Sequence, residues 1–332
     1  MEFIITDVNS VEKGYLVHKG IDIDIGVDND FEIEVDINSY NPEIHQKGCS
    51  FFCPDTEYGG IIRIFNPVTS EQIIKLGGST WRGMLNQKAL EPPAGQDYRY
   101  LNGEANAVIR SIFSELGISG LFVVPDEDSG YTFDNYQVPL QEMLLDALQE
   151  ALEPLGARIN IAYLKGKSGR DGYVEVKVVA ITDYSSVAEY SQDGNVNVDI
   201  KDYSNGTNHL ICLGKGELSQ RTRVDLYAWP DGSIQKTQYY TGIDEIESYY
   251  DYSSAEDATA LESYGRKRLK EEMNYTEMNM SVNSGQYLEI GDIVGGRERI
   301  TGLKMKSPVV QKIIKVSGNG ITKITPKVKG ED

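Results

Sequence analysis

His45, Cys49 and Cys53 are spaced four residues apart and bring together three of the chain's six histidines and cysteines. On one helical face, three such side chains would suit zinc. Their surroundings, KGCSFFCPDTEYGG, do not read as a helix, and no fourth Cys or His stands near, although Asp55 could contribute. We read the trio as structural side chains and expect no metal. Asp22, Asp24, Asp28, Asp30 and Glu32 invite a calcium reading, but an EF-hand loop needs Gly sixth and Glu twelfth. Counted from Asp22, Gly26 is fifth and Ile33 twelfth, so the pattern fails. His18, His45 and His209 lie in separate segments, none beside a nucleophile-elbow serine or cysteine. With 51 acids, some carboxylate pair suited to glycoside hydrolysis is always available, so a pair alone carries no information. Gly214-Lys215-Gly216 and Gly295-Gly296 are too short for phosphate loops and read as turns. The expectation is therefore no catalytic residue and no cofactor.

The 51 Asp/Glu against 32 Lys/Arg leave a net charge of −19 over 332 residues. Such a chain is no sequence-independent DNA binder, which needs cations to neutralise phosphates. The acid serves solubility, or makes a surface that an anionic polymer passes without sticking. From Gly291 onward the balance reverses, with nine Lys/Arg against four Asp/Glu. No apolar run approaches the length of a membrane span. The N-terminus has no basic, apolar, small-residue sequence of a secretory signal. Three cysteines make no disulfide framework, which agrees with synthesis in a reducing cytoplasm.

The elements follow from periodicity. Ile21–Ile25 and Phe31–Ile37 alternate strictly, with Asp28-Asn29-Asp30 as the turn, which predicts a hairpin with one buried and one acidic face. Gly59–Phe65 and Ser70–Leu76 read as a second pair across Asn66-Pro67. Val108, Ile109, Ile112, Phe113 and Leu116 predict a helix ending at Gly117. Leu121–Val124 is a short strand, and Pro139–Leu155 a longer helix closed by Gly156. Residues 158–163 and 172–181 form a hairpin around an exposed loop at 165–172. After a polar stretch at 191–209, strands are expected at 210–213, 223–229 and 233–240. A helix over about 254–273 and strands at 278–282, 287–294, 309–316 and 321–328 complete the chain. Fold class is then α+β and mostly β: a small antiparallel barrel or sandwich, a small α/β unit, and a second β-rich region with one helix. The boundaries are 1–95 for the first β-region, 96–185 for the α/β insert and 186–330 for the second β-region; that the two β-regions are barrels is what the resemblance given below implies.

One stretch changes the character of the chain. GGSTWRGMLNQKALEPPAG (77–95) follows the alternating strands and precedes the first helical pattern. It holds one of two tryptophans, Trp81, then Arg82 and Gly83, and stops at Pro92-Pro93. We read these five residues as a structural joint with Trp81 pinned in the core of the first β-region. The 21 tyrosines, with Tyr239-Tyr240 and Tyr249-Tyr250-Asp251-Tyr252 prominent, suit interfaces or sugar sites.

EYGGIIRIF, GSTWRGMLNQKALEPPAGQDY, LGKGELSQRTRVDLYAWPDGSI and YLEIGDIVGGRERITGLKMKSPVVQKIIKV occur in that order. Their order and wording resemble the siphophage tail-hub, or tail-associated, proteins of the Gp-thirty-seven-like type, over roughly residues 1–328. The most specific pieces are Thr80–Pro93 and Gly291-Asp292-Ile293-Val294. The resemblance implies the central baseplate-hub fold: four subdomains, two of them β-barrels, assembled as a trimeric ring with pseudo-sixfold symmetry. Its implied partners are further copies of itself, a distal tail or tube protein, a tip or spike protein and the tape-measure protein. DNA would pass without specific binding. It places the chain in a virion or tail-like particle, synthesised in the bacterial cytoplasm. Many members carry a peptidase or fibre extension, and this sequence stops soon after its last strand, so a bare hub is expected. The competing readings are a carbohydrate-binding β-module and a cell-wall hydrolase using an Asp/Glu pair.

Overall fold

The computed structural model describes residues 1–166, 172–185, 189–190, 197–255, 257–281, 288–297 and 300–328. Two compact units emerge. The first comprises Met1–Ala188, Met280–Val294 and Pro308–Lys327; the second comprises Glu189–Asn279, Gly295–Ser307 and Val328–Asp332.

In the first unit, strands β1 (Ile4–Thr6), β2 (Glu12–Tyr15), β3 (Gly20–Ile25), β4 (Asp30–Asp36), β5 (Ser50–Phe52), β6 (Gly59–Ile61), β7 (Ile64–Val68) and β8 (Ile73–Ser79) come first. Helix α1 (Trp81–Leu85), β9 (Tyr100–Glu104), α2 (Ala105–Glu115), β10 (Phe122–Val123) and β11 (Thr132–Gln137) follow. Then come α3 (Leu144–Leu152), β12 (Ala157–Leu164) and β13 (Tyr173–Ala180). The second unit holds β14 (Glu189–Tyr190), β15 (Asn197–Tyr203), β16 (His209–Leu213), β17 (Arg223–Ala228), β18 (Ile234–Gln235), β19 (Glu247–Asp251), α4 (Ala258–Glu272) and β20 (Tyr275–Ser281). Strands β21 (Ile293–Arg297), β22 (Lys304–Ser317) and β23 (Thr322–Val328) end the described chain.

The predicted hairpin is present. β3 and β4 pair antiparallel with Ile21 opposite Ile33. Ile21, Ile23, Ile25, Phe31, Ile33 and Val35 are buried, as period 2 requires. β22 adds on one side of this hairpin and β8 on the other, and β7 closes the order at an edge. A second sheet runs β2-β1-β5-β6. Phe51 of that sheet meets Phe31 of the first, edge to face at 4.6 Å.

Strand dominates helix as expected, but among the described residues the sheets remain open and none closes into a barrel. The second predicted pair shows why. Gly59–Phe65 is not one strand: β6 pairs with β5, whereas β7 pairs with β8. The chain thus steps from one sheet to the other between Ile61 and Ile64. Asn66-Pro67 lies inside β7, and the turn falls at Thr69–Gln72, where Gln72 takes a φ of 55°. Proline is tolerated there because β7 is an edge strand with amide groups to spare.

The α/β segment follows its periodicity. α2 ends against Gly117, β10 pairs parallel to β13, and β12–β13 is the predicted hairpin. Its loop lies mostly outside the described residues. α3 begins at Leu144, five residues later than expected, because residues 88–90 capture the preceding chain. Leu90 N donates to Glu142 O at 3.0 Å and Leu144 N to Lys88 O at 2.7 Å. Leu140, placed on the predicted apolar stripe, is 54% exposed.

In the second unit, β18-β17-β16-β19 form one sheet. α4 covers Leu210, Cys212, Leu226 and Ala228, with Leu261 and Leu269 in the same cluster. Gly265 in mid-helix is explained by contact: a Cβ there would stand 2.5 Å from Cys212 Sγ. The N-cap is Asp257, which accepts from Ala260 N at 2.8 Å. The polar stretch at 191–209 also contains β15, which alternation did not reveal. The expected strand at 287–294 lies partly outside the described residues and begins at Ile293.

Glu104 caps α2 by accepting from Asn106 N, Ala107 N and Ser129 N at 2.9, 2.7 and 2.9 Å. Burial opposes its ionisation, but these bonds and the Ser129 hydroxyl outweigh it and hold the carboxyl at about 2 instead of 4.5. A depressed carboxyl stabilises the fold above its unfolded value and loses that contribution as pH falls through the folded one. Urea midpoints should therefore drop between about pH 4.5 and 2, and Glu104→Gln should flatten that drop. An identical pH profile in the variant would contradict the assignment.

Candidate functional site

Trp81, Arg82 and Gly83 of the joint form a buried structure. Thr80 N–H and Oγ1 donate to Asn29 O at 2.9 and 3.0 Å, and Oγ1 accepts from Gly83 N at 3.2 Å, so Thr80 caps α1 against the β3–β4 turn. A Cβ on Gly83 would lie 2.3 Å from Asn29 O, so only glycine permits this approach. Trp81 is 1% exposed. It stacks on Tyr163 of β12 at 5.6 Å, and Tyr163 stacks on Phe52 of β5 at 3.8 Å. The core around Trp81 thus draws on β5, on α2 and α3 and on the β12–β13 hairpin together. Pro92 and Pro93 lie in the partly exposed coil beyond Leu90.

Arg82 is the charged member of this joint, and it is buried. Its Nε and Nη2 donate to Glu57 Oε2 at 3.1 and 2.9 Å, with both side chains under 5% exposed. The other oxygen, Glu57 Oε1, lies 3.7 Å from Lys312 Nζ of β22. Lys312 donates to Glu289 Oε2 at 2.7 Å and sits 5.0 Å over the ring of Tyr58. Burial alone would protonate Glu57; Arg82 and Lys312 outweigh it and hold the carboxyl below its ordinary range. Burial would likewise deprotonate Lys312, but Glu57, Tyr58 and Glu289 keep it above its usual value.

A second ion pair stands in the same unit. Asp292 is 1% exposed. Its Oδ1 accepts from Arg158 Nε at 2.9 Å and from Thr182 N at 3.2 Å, and Oδ2 accepts from Glu289 N at 3.0 Å. The two stretches most specific in the sequence, Thr80–Pro93 and Gly291–Val294, therefore each supply one member of a buried ion pair. Glu57, Arg82, Lys312 and Asp292 are buried and balance one another's charge with Arg158 and the half-buried Glu289, an arrangement that fixes chain segments.

The acidic face is real but partly neutralised. Lys75 binds Glu32 at 2.7 Å, and Lys315 binds Asp22 at 2.8 Å. An open cleft of about 500 Å³ on this face is lined by Asp22, Asp24, Asp28, Asp30, Lys75 and Lys315 among others. Burial, then Asp28, Asp24 and Asp22, push the Asp30 carboxyl up.

His45, Cys49 and Cys53 are not gathered as ligands. His45 Nδ1 accepts from Asn41 N at 3.0 Å, and the Cys49 thiol points to Glu43 O at 3.7 Å. Burial raises the thiols of both cysteines. Among the described residues, three ligand atoms within 4.8 Å of one another occur at His209, Glu245 and Glu247. No described helix is long and apolar enough to cross a membrane.

No family model and no curated protein matches the sequence. Solved structures do match over the whole chain. The prophage MuSo2 43 kDa tail protein from Shewanella oneidensis aligns with a TM-score of 0.56 at 13% identity, covering 99% of this chain and 98% of that one. The chain has the fold of phage tail proteins. The tail protein from Neisseria meningitidis MC58 aligns at 0.52 with 13% identity, over 100% and 97% of the two chains. Prophage tail protein gp18 from Listeria monocytogenes EGD-e aligns at 0.50 with 12% identity, over 100% and 95%.

Glu57, Glu289, Arg158 and Lys312 escaped the sequence reading. Lys312 carried a signal: it shares strand parity with Ile314 and Val316, both buried, so alternation alone turns it inward. Removing one member of the set should cost about 3–5 kcal/mol by leaving a buried charge unpaired. Urea unfolding of Arg82→Met and Glu57→Gln checks this, with Glu57→Gln at least as damaging because it strands Arg82 and leaves Lys312 with Glu289 alone. Losses below about 1 kcal/mol would show that the ions are solvated.

Proposed function

We propose that this chain is a structural tail-tip hub of a phage or phage tail-like particle. In this reading three copies form a ring that joins the sixfold tail tube to the threefold tip or spike. The supporting observation is the end-to-end match to a prophage tail protein, which covers 99% of this chain and 98% of the other. The ordered motifs that resemble tail-hub proteins make the tip the position of choice. Tube, spike and tape-measure proteins are then its neighbours, and its work is assembly and conduction.

The acidic sheet face has a place in this scheme. Turned toward a central channel, Asp22, Asp24, Asp28 and Asp30 would repel DNA and an acidic unfolded chain alike. Like charge removes the counterion release that makes nucleic acid bind, so a passing polymer slides. Edge strands such as β7 and β2 offer unpaired backbone for contacts between copies or with ring neighbours.

Mass photometry tests the assembly. The expected result is a trimer, alone or on co-expression with tail partners. Trp81→Ala, which empties the Phe52–Tyr163 stack, should lower stability by about 3–5 kcal/mol and reduce the trimer fraction. A protein that stays monomeric with every tail partner would overturn the hub reading.

A further inference from the structure

His209 and the carboxylates around it have no part in the proposed tail role. His209 opens β16 and is 6% exposed. Parallel pairing sets it beside Glu247 at the start of β19. Asp225 of β17 lies opposite Ile211, on the same face of the sheet as His209. Leu210, Cys212 and Leu226 belong to the core on the opposite face, so this face is open to polar chemistry. His209 Nε2 is 3.0 Å from Asp225 Oδ1. Nδ1 is 2.7 Å from Glu245 Oε1 and 3.3 Å from Glu247 Oε1.

Two observations make this more than a surface ion pair. Asp225 is itself held from behind: Arg223 Nε and Nη2 donate to its two oxygens at 2.8 and 2.6 Å. With Asp225 accepting the Nε2 proton, the tautomer that leaves a lone pair on Nδ1 is available to an ion. Nδ1 and one oxygen of each of Glu245 and Glu247 lie within 4.8 Å of one another. Gln238 Nε2 donates to Glu245 Oε1 at 2.7 Å and fixes that ligand as well. Without an ion, a proton on Nδ1 bridges to Glu245; with one, the three donor atoms converge on it, and an imidazole steered by an outer carboxylate is the usual surrounding of a metal-bound histidine.

We propose that His209 Nδ1, Glu245 and Glu247 bind a divalent transition-metal ion, zinc(II) or one of similar softness, with Asp225 as the positioning residue. One imidazole nitrogen with two carboxylate oxygens suits such an ion; calcium takes about six to eight oxygens instead. Metal–ligand bonds near 2.0–2.2 Å put tetrahedral ligands about 3.3 Å apart. Glu247 already stands at that distance from Nδ1, and Glu245 has to draw back by about 0.6 Å. The Glu247 side chain is 56% exposed, which leaves the fourth position open to water. The site is local to the second unit, so its failure would leave the tail reading standing.

Chelator-stripped full-length protein titrated with zinc chloride in a calorimeter tests the site, with cobalt(II) absorption as the second readout. The expected result is one ion per chain and a tetrahedral cobalt spectrum. His209→Ala and Glu247→Gln should each weaken zinc at least tenfold and abolish the cobalt bands. Asp225→Asn should keep the stoichiometry and weaken zinc about tenfold, the usual effect of losing an outer-shell carboxylate. Glu247→Gln alters an exposed side chain, so the test survives even if His209→Ala fails to fold. No saturable zinc binding in the wild type, or binding unchanged by both ligand substitutions, would overturn the proposal.

Discussion

A lysine with 2% of its side chain exposed is an expensive thing to bury, and the first unit is arranged around Lys312. An ammonium out of water persists only beside opposite charge. Glu57 and Glu289 supply it, and Glu57 is shared with Arg82. Residues from four distant parts of the chain must therefore meet in one place. β22, far from β3 in sequence, has to lie against it before the charges balance. Residues 1–188 alone would leave Glu57 with half its compensation. The adjoining Asp292–Arg158 pair fixes the turn before β21 in the same way.

How much of this was legible depends on whether the signal was local. Strict alternation in Ile21–Ile25 and Phe31–Ile37 fixed a strand face, because a one-residue slip would expose every isoleucine. The apolar spacing around Ile109 and Phe113 fixed α2 for the same kind of reason. Failures arose where tertiary contact overrode a local pattern. Pro139 looks like a helix start, but Lys88 and Leu90 hold the chain through Leu144 and Glu142 in an extended bridge. Asn66-Pro67 looks like a turn, but an edge position lets it stay in β7. Barrel closure is a property of which edges pair, and alternation does not report edges. The buried ions were the least legible, since charge partners 25 residues apart (Arg82 and Glu57) or further leave no periodic trace. Lys312 is the exception, visible as a cation on an apolar parity.

The surfaces divide by unit. The first presents an acidic sheet face with lysines pairing only part of it, which fits a wall that must not hold an anionic polymer. The second presents His209 beneath two carboxylates, an ordered polar cluster on an otherwise solvent-facing sheet. The fold that carries both surfaces is shared end to end with phage tail proteins at 13% identity.

Cryo-electron microscopy of an assembled tail particle containing this chain tests the central claim most directly. The hub account predicts three copies in a closed ring at the tail tip, beneath the last sixfold ring of the tube, with the Asp22–Asp30 face toward the axis. Density for the chain elsewhere on the particle, or a ring whose inner wall is neutral or basic, would contradict it.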